Sequence, residues 1–191
     1  MTDISAIVFM DEYDKIQSAL NGISEDINCL IDNRGDCELC RKVALSIIDG
    51  AEFWVGKTSV GIPKNKVVRE AFQAFWESVF ELIQDIKAHE KDYPEDIRPL
   101  ADCIFRGKIY RFINTKNVKF DGIYVSWSKS NEFTPYMSEK LGVKNTYLLT
   151  AETGQGVGID LEELGVSRPS EREVVFPTNK ESIIGIEKVS K

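Results

Sequence analysis

The stretch KDYPEDIRPLADCIFRGKIYRFI, residues 91–113, is where the chain changes its pattern. Before it, Val68, Phe72, Phe75, Trp76, Val79, Leu82, Ile83 and Ile86 recur at helical spacing through residues 66–90, forming an apolar stripe that needs a covering surface. Tyr93-Pro94 stops that helix, because proline disfavours helical geometry in the residue before it. From about residue 100 the apolar residues fall instead into short runs rich in Ile, Val, Phe and Tyr, separated by turn residues.

Toward the N-terminus, Met10, Tyr13, Ile16 and Leu20 predict a helix that Asn21-Gly22 ends, and Leu39, Val43, Ile47 and Ile48 begin another. Toward the C-terminus, residues 103–113, 122–128, 145–151, 155–161, 173–176 and 182–189 read as strands. A further helix is predicted over 134–141, where Thr134-Pro135 fits a cap and a first position. The fold class is therefore α+β: an N-terminal helical lobe, residues 1–95, followed by a mostly antiparallel sheet domain, residues 96–191.

With 191 residues, 42% hydrophobic and 10% aromatic, the chain can bury a real core, which excludes a disordered protein. A net charge of −7 excludes a chain-wide basic footprint for nucleic acid. The charge is uneven, however. Residues 1–95 hold about 10 Lys and Arg against about 18 Asp and Glu, while residues 96–191 hold about 14 against about 13. Arg98, Arg106, Lys108, Arg111, Lys116, Lys119 and Lys129 face only Asp102 and Asp121 in the same stretch, a local excess suited to an anionic small molecule.

No basic leader and no long apolar run is visible, so neither a signal peptide nor a membrane partner is expected. Cys29, Cys37, Cys40 and Cys103 do not form a secreted disulfide framework in a chain of this length, which points to a cytoplasmic protein. Delivery into another cell would leave no mark of this kind. Cys37-x-x-Cys40 with Cys29 and His89 is a weak zinc pattern, and cysteines packed on helices are the simpler reading.

Three features could carry chemistry. Glu171-Arg172-Glu173 precedes Val174-Val175-Phe176; in an extended chain both carboxylates would share one face and could divide acid, base or charge-stabilising roles. Ser126-Trp127-Ser128 places two hydroxyls at the same two-residue spacing, able to orient a carboxylate. Arg111, inside Ile109-Tyr110-Arg111-Phe112-Ile113, is a charge in an apolar strand and calls for an anionic partner. A solvated charged turn, a half-buried Ser-aromatic strand and an internal salt bridge are the plain alternatives.

In this order, the arginine, the serine strand and the late E-x-E resemble the arginine–serine–glutamate, toxin-like class of ADP-ribosyltransferases. The resemblance spans roughly residues 100–190 and is carried best by Pro169-Ser170-Glu171-Arg172-Glu173-Val174-Val175-Phe176-Pro177. Gly154, Gly156 and Gly158 are consistent with the middle of such a sheet and are not a phosphate loop. Where many members have Arg-Gly, Arg111 precedes Phe112; Arg106-Gly107 is the rival, and Trp127 stands where threonine is frequent.

The resemblance implies NAD as substrate and no metal. It assigns the NAD diphosphate to Arg111 and the positioning of Glu173 to Ser126, with Ser128 beside it. Glu173 stabilises the cationic ribose, Glu171 handles the incoming nucleophile, and Phe133 or Tyr136 stacks on nicotinamide. Glutamate at the first position of the E-x-E goes with protein arginine as acceptor. An NAD glycohydrolase, ADP-ribosylation of nucleic acid, and a non-enzymatic helical interaction module are the alternatives. The acidic helical lobe would then serve targeting, or bind an antitoxin or immunity partner.

Overall fold

The computed structural model describes residues 12–57, 65–114, 122–132, 146–154, 158–166 and 172–189. Three long helices come first: α1 (Glu12–Asp32), α2 (Cys37–Lys57) and α3 (Lys66–Ala88). Asp36 opens α2, its Oδ1 accepting the amides of Glu38 (3.0 Å) and Leu39 (2.9 Å). Asn65 opens α3 in the same way, through the amides of Val67 (2.9 Å) and Val68 (3.2 Å). His89 caps the other end of α3.

Asn21-Gly22 does not end the first helix, which continues for ten residues beyond Gly22. A glycine in a helix costs only about 1 kcal/mol, and continuing α1 buries Ile27 and Leu30 completely. Packing outweighs propensity there.

Among the described residues seven strands follow: β1 (Ile104–Phe105), β2 (Lys108–Ile113), β3 (Tyr124–Ser128), β4 (Tyr147–Glu152), β5 (Gly158–Asp160), β6 (Glu173–Pro177) and β7 (Ile183–Lys188). They form one sheet in the order β1-β5-β6-β3-β2-β4-β7, antiparallel at every pairing. The α+β class is thereby established. The run expected over 103–113 is interrupted at Arg106-Gly107, where Gly107 has φ 147°, so β1 and β2 pair with different neighbours. The helix expected over 134–141 lies outside the described residues.

Helices cover one face of the sheet. Tyr124, Ile159 and Val175 join Leu20, Ile27, Leu30, Val43, Ile47, Trp54 and the α3 stripe in a single apolar core that crosses residue 95. Ile109, Val125, Trp127, Leu149, Val174 and Phe176 form a second cluster on the opposite face. Alternation explains the division, since Val175 faces the helices while Val174 and Phe176 face away. A strand buried on both sides must be apolar throughout, which is why Val174-Val175-Phe176 contains no polar residue.

Among the helices, Arg34 grips Asp85 of α3 with two hydrogen bonds (2.6 and 2.7 Å), and the Tyr93 hydroxyl donates to the same carboxylate (2.5 Å). His89 lies 3.0 Å from the other Asp85 oxygen. No helix among the described residues is long and apolar enough to cross a membrane.

Candidate active site

β3 and β6 run side by side in a register that sets Ser126 opposite Val175 and Ser128 opposite Glu173. Residues opposite one another in an antiparallel pair share a face. Ser126, Ser128 and Glu173 therefore lie on the face of Tyr124 and Val175, toward the helices. Glu173 is 5% exposed, a position at which a carboxylate requires compensation. The Ser126 hydroxyl donates to Glu173 Oε1. A second donor to the same oxygen is the indole N–H of Trp54, on α2, at 2.9 Å.

Arg111 arrives from the neighbouring strand by a less regular route. The amide of Lys129 bonds the Arg172 carbonyl (3.0 Å), and that of Thr178 bonds the Ile123 carbonyl (2.9 Å). Odd-numbered residues of β3 thus bond β6, and the peptide groups of Tyr124, Ser126 and Ser128 point toward β2. Yet the register between β2 and β3 holds one pair, Tyr110 with Ser128. Beyond it the two strands separate.

Side chains fill the gap. At Tyr124 the Gln73 amide of α3 acts as a substitute strand: its Oε1 accepts the Tyr124 amide (2.5 Å) and its Nε2 donates to the Tyr124 carbonyl (3.1 Å). At Ser126 the carbonyl accepts from the Arg111 guanidinium (3.2 Å). Strand alternation places Arg111 with Ile109, on the face away from the helices. Because a carbonyl lies in the plane of the sheet, the guanidinium reaches it by turning into the gap. Burial pulls the Arg111 pKa down to about 10, opposed by the negative charge of Glu173, so the group stays protonated at neutral pH.

The site thus combines a buried cation, a buried carboxylate and a serine hydroxyl oriented on it, where β2 and β3 part. Such a set can hold an anionic group at the arginine and stabilise developing positive charge at the glutamate. Arg106 is exposed and lies outside both β1 and β2. The Ser128 hydroxyl accepts the Ser130 amide at 3.0 Å.

The extended geometry expected across Glu171-Arg172-Glu173 does not hold, because Arg172 has φ 42° and β6 begins only at Glu173. A left-handed residue breaks the two-residue alternation on which a shared face depended. Glu171, Phe133 and Tyr136 lie outside the described residues.

Lys129 closes the end of β3 against the turn after β5, bonding Asp160 (2.9 and 3.1 Å) and Glu162 (2.6 Å). Cys29 and Cys37 are exposed, whereas Cys40 and Cys103 are buried and burial raises both their thiols to about 11. Among the described residues, no three His, Cys, Asp or Glu side chains gather as metal ligands.

Trp54 and Gln73 did not stand out in the sequence as site residues. Each sits at helical spacing among core residues, and nothing local marks a long-range polar contact. Comparison with protein-family models, curated proteins and solved structures gives no match.

Proposed function

We propose that the protein is a mono-ADP-ribosyltransferase of the toxin or effector type, which cleaves the nicotinamide–ribose bond of NAD and passes ADP-ribose to an acceptor. The observation that carries this reading is the Ser126 hydroxyl seated on the Glu173 carboxylate, with the Arg111 guanidinium donating to the carbonyl of the same serine.

In this reading Arg111 holds the diphosphate through charge-assisted hydrogen bonds. Glu173 hydrogen-bonds the nicotinamide ribose and stabilises the oxocarbenium-like carbon as the C–N bond breaks. Nicotinamide leaves with the bonding electron pair as a neutral molecule, so no acid is needed. The acceptor nucleophile bonds to the same carbon and gives up its proton to Glu171 or to water. The glutamate at position 171 favours protein arginine as acceptor.

The test is incubation of the protein with NAD labelled on its adenylate phosphate, in the presence of cell lysate. Label on protein together with nicotinamide release is the expected result. Free ADP-ribose alone would make it a glycohydrolase, and label on RNA or DNA would move the acceptor to nucleic acid. Glu173→Gln should lower turnover by about 100- to 1000-fold; full turnover in that variant removes Glu173 from the chemistry.

A further inference from the structure

The indole of Trp54 is fully buried and donates to Glu173 across 119 residues of sequence, from the helical half into the sheet. We propose that Trp54 is a positioning residue for Glu173, making helix α2 part of the catalytic apparatus. This inference rests on the functional reading above.

The argument starts from what a glutamate needs in order to act reproducibly. Its side chain has several rotatable bonds, and one hydrogen bond to one oxygen still permits rotation about that contact. Ser126 approaches from the adjacent strand and Trp54 from the helix layer, and both donate to Oε1. Two donors of different origin on one oxygen fix its position and the direction of the carboxylate. A hydroxyl can turn its proton elsewhere. An indole N–H cannot, because the ring is locked by neighbours.

Those neighbours are Phe72 and Trp76 of α3, which meet the Trp54 ring edge-on at centroid distances of 5.1 and 5.7 Å. Phe75 in turn meets Trp76 edge-on, with 4.7 Å between the ring centroids. The orientation of the N–H is thus set by an aromatic cluster within the apolar core that helices and sheet share. Support of this kind holds a reacting group far more closely than a loop does.

Trp76 supplies the control. It is equally buried and belongs to the same cluster, but its indole N–H has no acceptor among the described residues. Trp54→Phe and Trp76→Phe each replace an indole by a phenyl ring in one core, and only the first removes a hydrogen bond to Glu173.

The experiment measures nicotinamide release from NAD by the full chain in wild type and both variants, with NAD affinity and urea midpoints taken in parallel. Trp54→Phe is expected to lower kcat by about 10- to 100-fold, equivalent to about 1.4–2.7 kcal/mol, while NAD affinity changes less than about 3-fold. Trp76→Phe should keep kcat within about 2-fold at a comparable loss of stability. In a Glu173→Gln background, Trp54→Phe should lower the residual rate no further, because the group it positions is gone.

Equal kcat values for the two tryptophan variants, with active wild type, overturn the role of Trp54 and leave the functional reading intact. A wild type that releases no nicotinamide overturns the functional reading and the role of Trp54 with it.

Discussion

The contact between Gln73 and Tyr124 is open to a quantitative test. Tyr124 is 7% exposed, and its amide and carbonyl face the side of β3 from which β2 has separated. Gln73→Leu puts an apolar side chain of similar size on α3 and removes both partners at once. Each buried backbone group left unpaired costs about 1–3 kcal/mol. Allowing for the partial exposure of Gln73 and for the apolar gain of leucine, the net loss should be about 2–4 kcal/mol. For a chain of this size that lowers Tm by roughly 5–15 °C.

Urea unfolding followed by far-UV circular dichroism reads the change as a lower midpoint at constant slope. Gln73→Glu is the companion variant. It still accepts from the Tyr124 amide, but at neutral pH it sets a carboxylate against the Tyr124 carbonyl and should be no more stable than the leucine variant. A leucine variant within about 0.5 kcal/mol of wild type, or a glutamate variant as stable as wild type, would refute the substitute-strand reasoning.

Other perturbations follow from the same geometry. Gly50→Ala would set a methyl group 2.7 Å from the fully buried Phe75 ring, and should destabilise by about 1–3 kcal/mol despite the better helix propensity of alanine. Gly22→Ala, with nothing within 4 Å, should stabilise by about 0.5–1 kcal/mol, and the urea midpoints of the two variants should move in opposite directions. The Arg34 hydrogen bond, aided by Tyr93, holds Asp85 down to about 2 from an ordinary 3.8, against the opposing effect of burial. That stabilisation is present above about pH 4 and is lost as pH falls toward 2. The stability gap between wild type and Arg34→Met should therefore close over that interval in urea titrations at fixed pH. Arg111→Met should raise KM for NAD at least about 10-fold, whereas Arg106→Met should leave it unchanged; the reverse pattern in steady-state kinetics would move the diphosphate to Arg106.

The sequence carried the order of elements well, for reasons visible in particular residues. The α3 stripe from Val68 to Ile86 is long and regular enough to admit one period, and the short run after Glu173, rich in β-branched residues, reads as a strand. Local signals misled where tertiary packing overrode them. Asn21-Gly22 looked like a helix end, but the burial of Ile27 and Leu30 carries α1 through it. The break at Arg106-Gly107 was hidden because apolar residues continue on either side. At the candidate site, Glu173 and Arg111 stood out as charges beside or within apolar strands, whereas Ser126 stood out only through the resemblance, because serine alternating with an aromatic residue is common in half-buried strands. Trp54 and Gln73 did not stand out, since a tryptophan or glutamine on an amphipathic helix looks the same whether it fills space or bonds a strand 51 or 119 residues away.

The parting of β2 from β3 also bears on how the molecule is made. An open strand edge is a template for wrong pairing until something occupies it. Here the groups that occupy the edge at Tyr124 and steady the carboxylate at Glu173 come from α3 and α2, which precede those strands in the chain. On the ribosome the helices emerge before the strands that they cover. Amide exchange at Tyr124 then becomes a reporter of helix docking, since its protection in the finished protein depends on a side chain of α3.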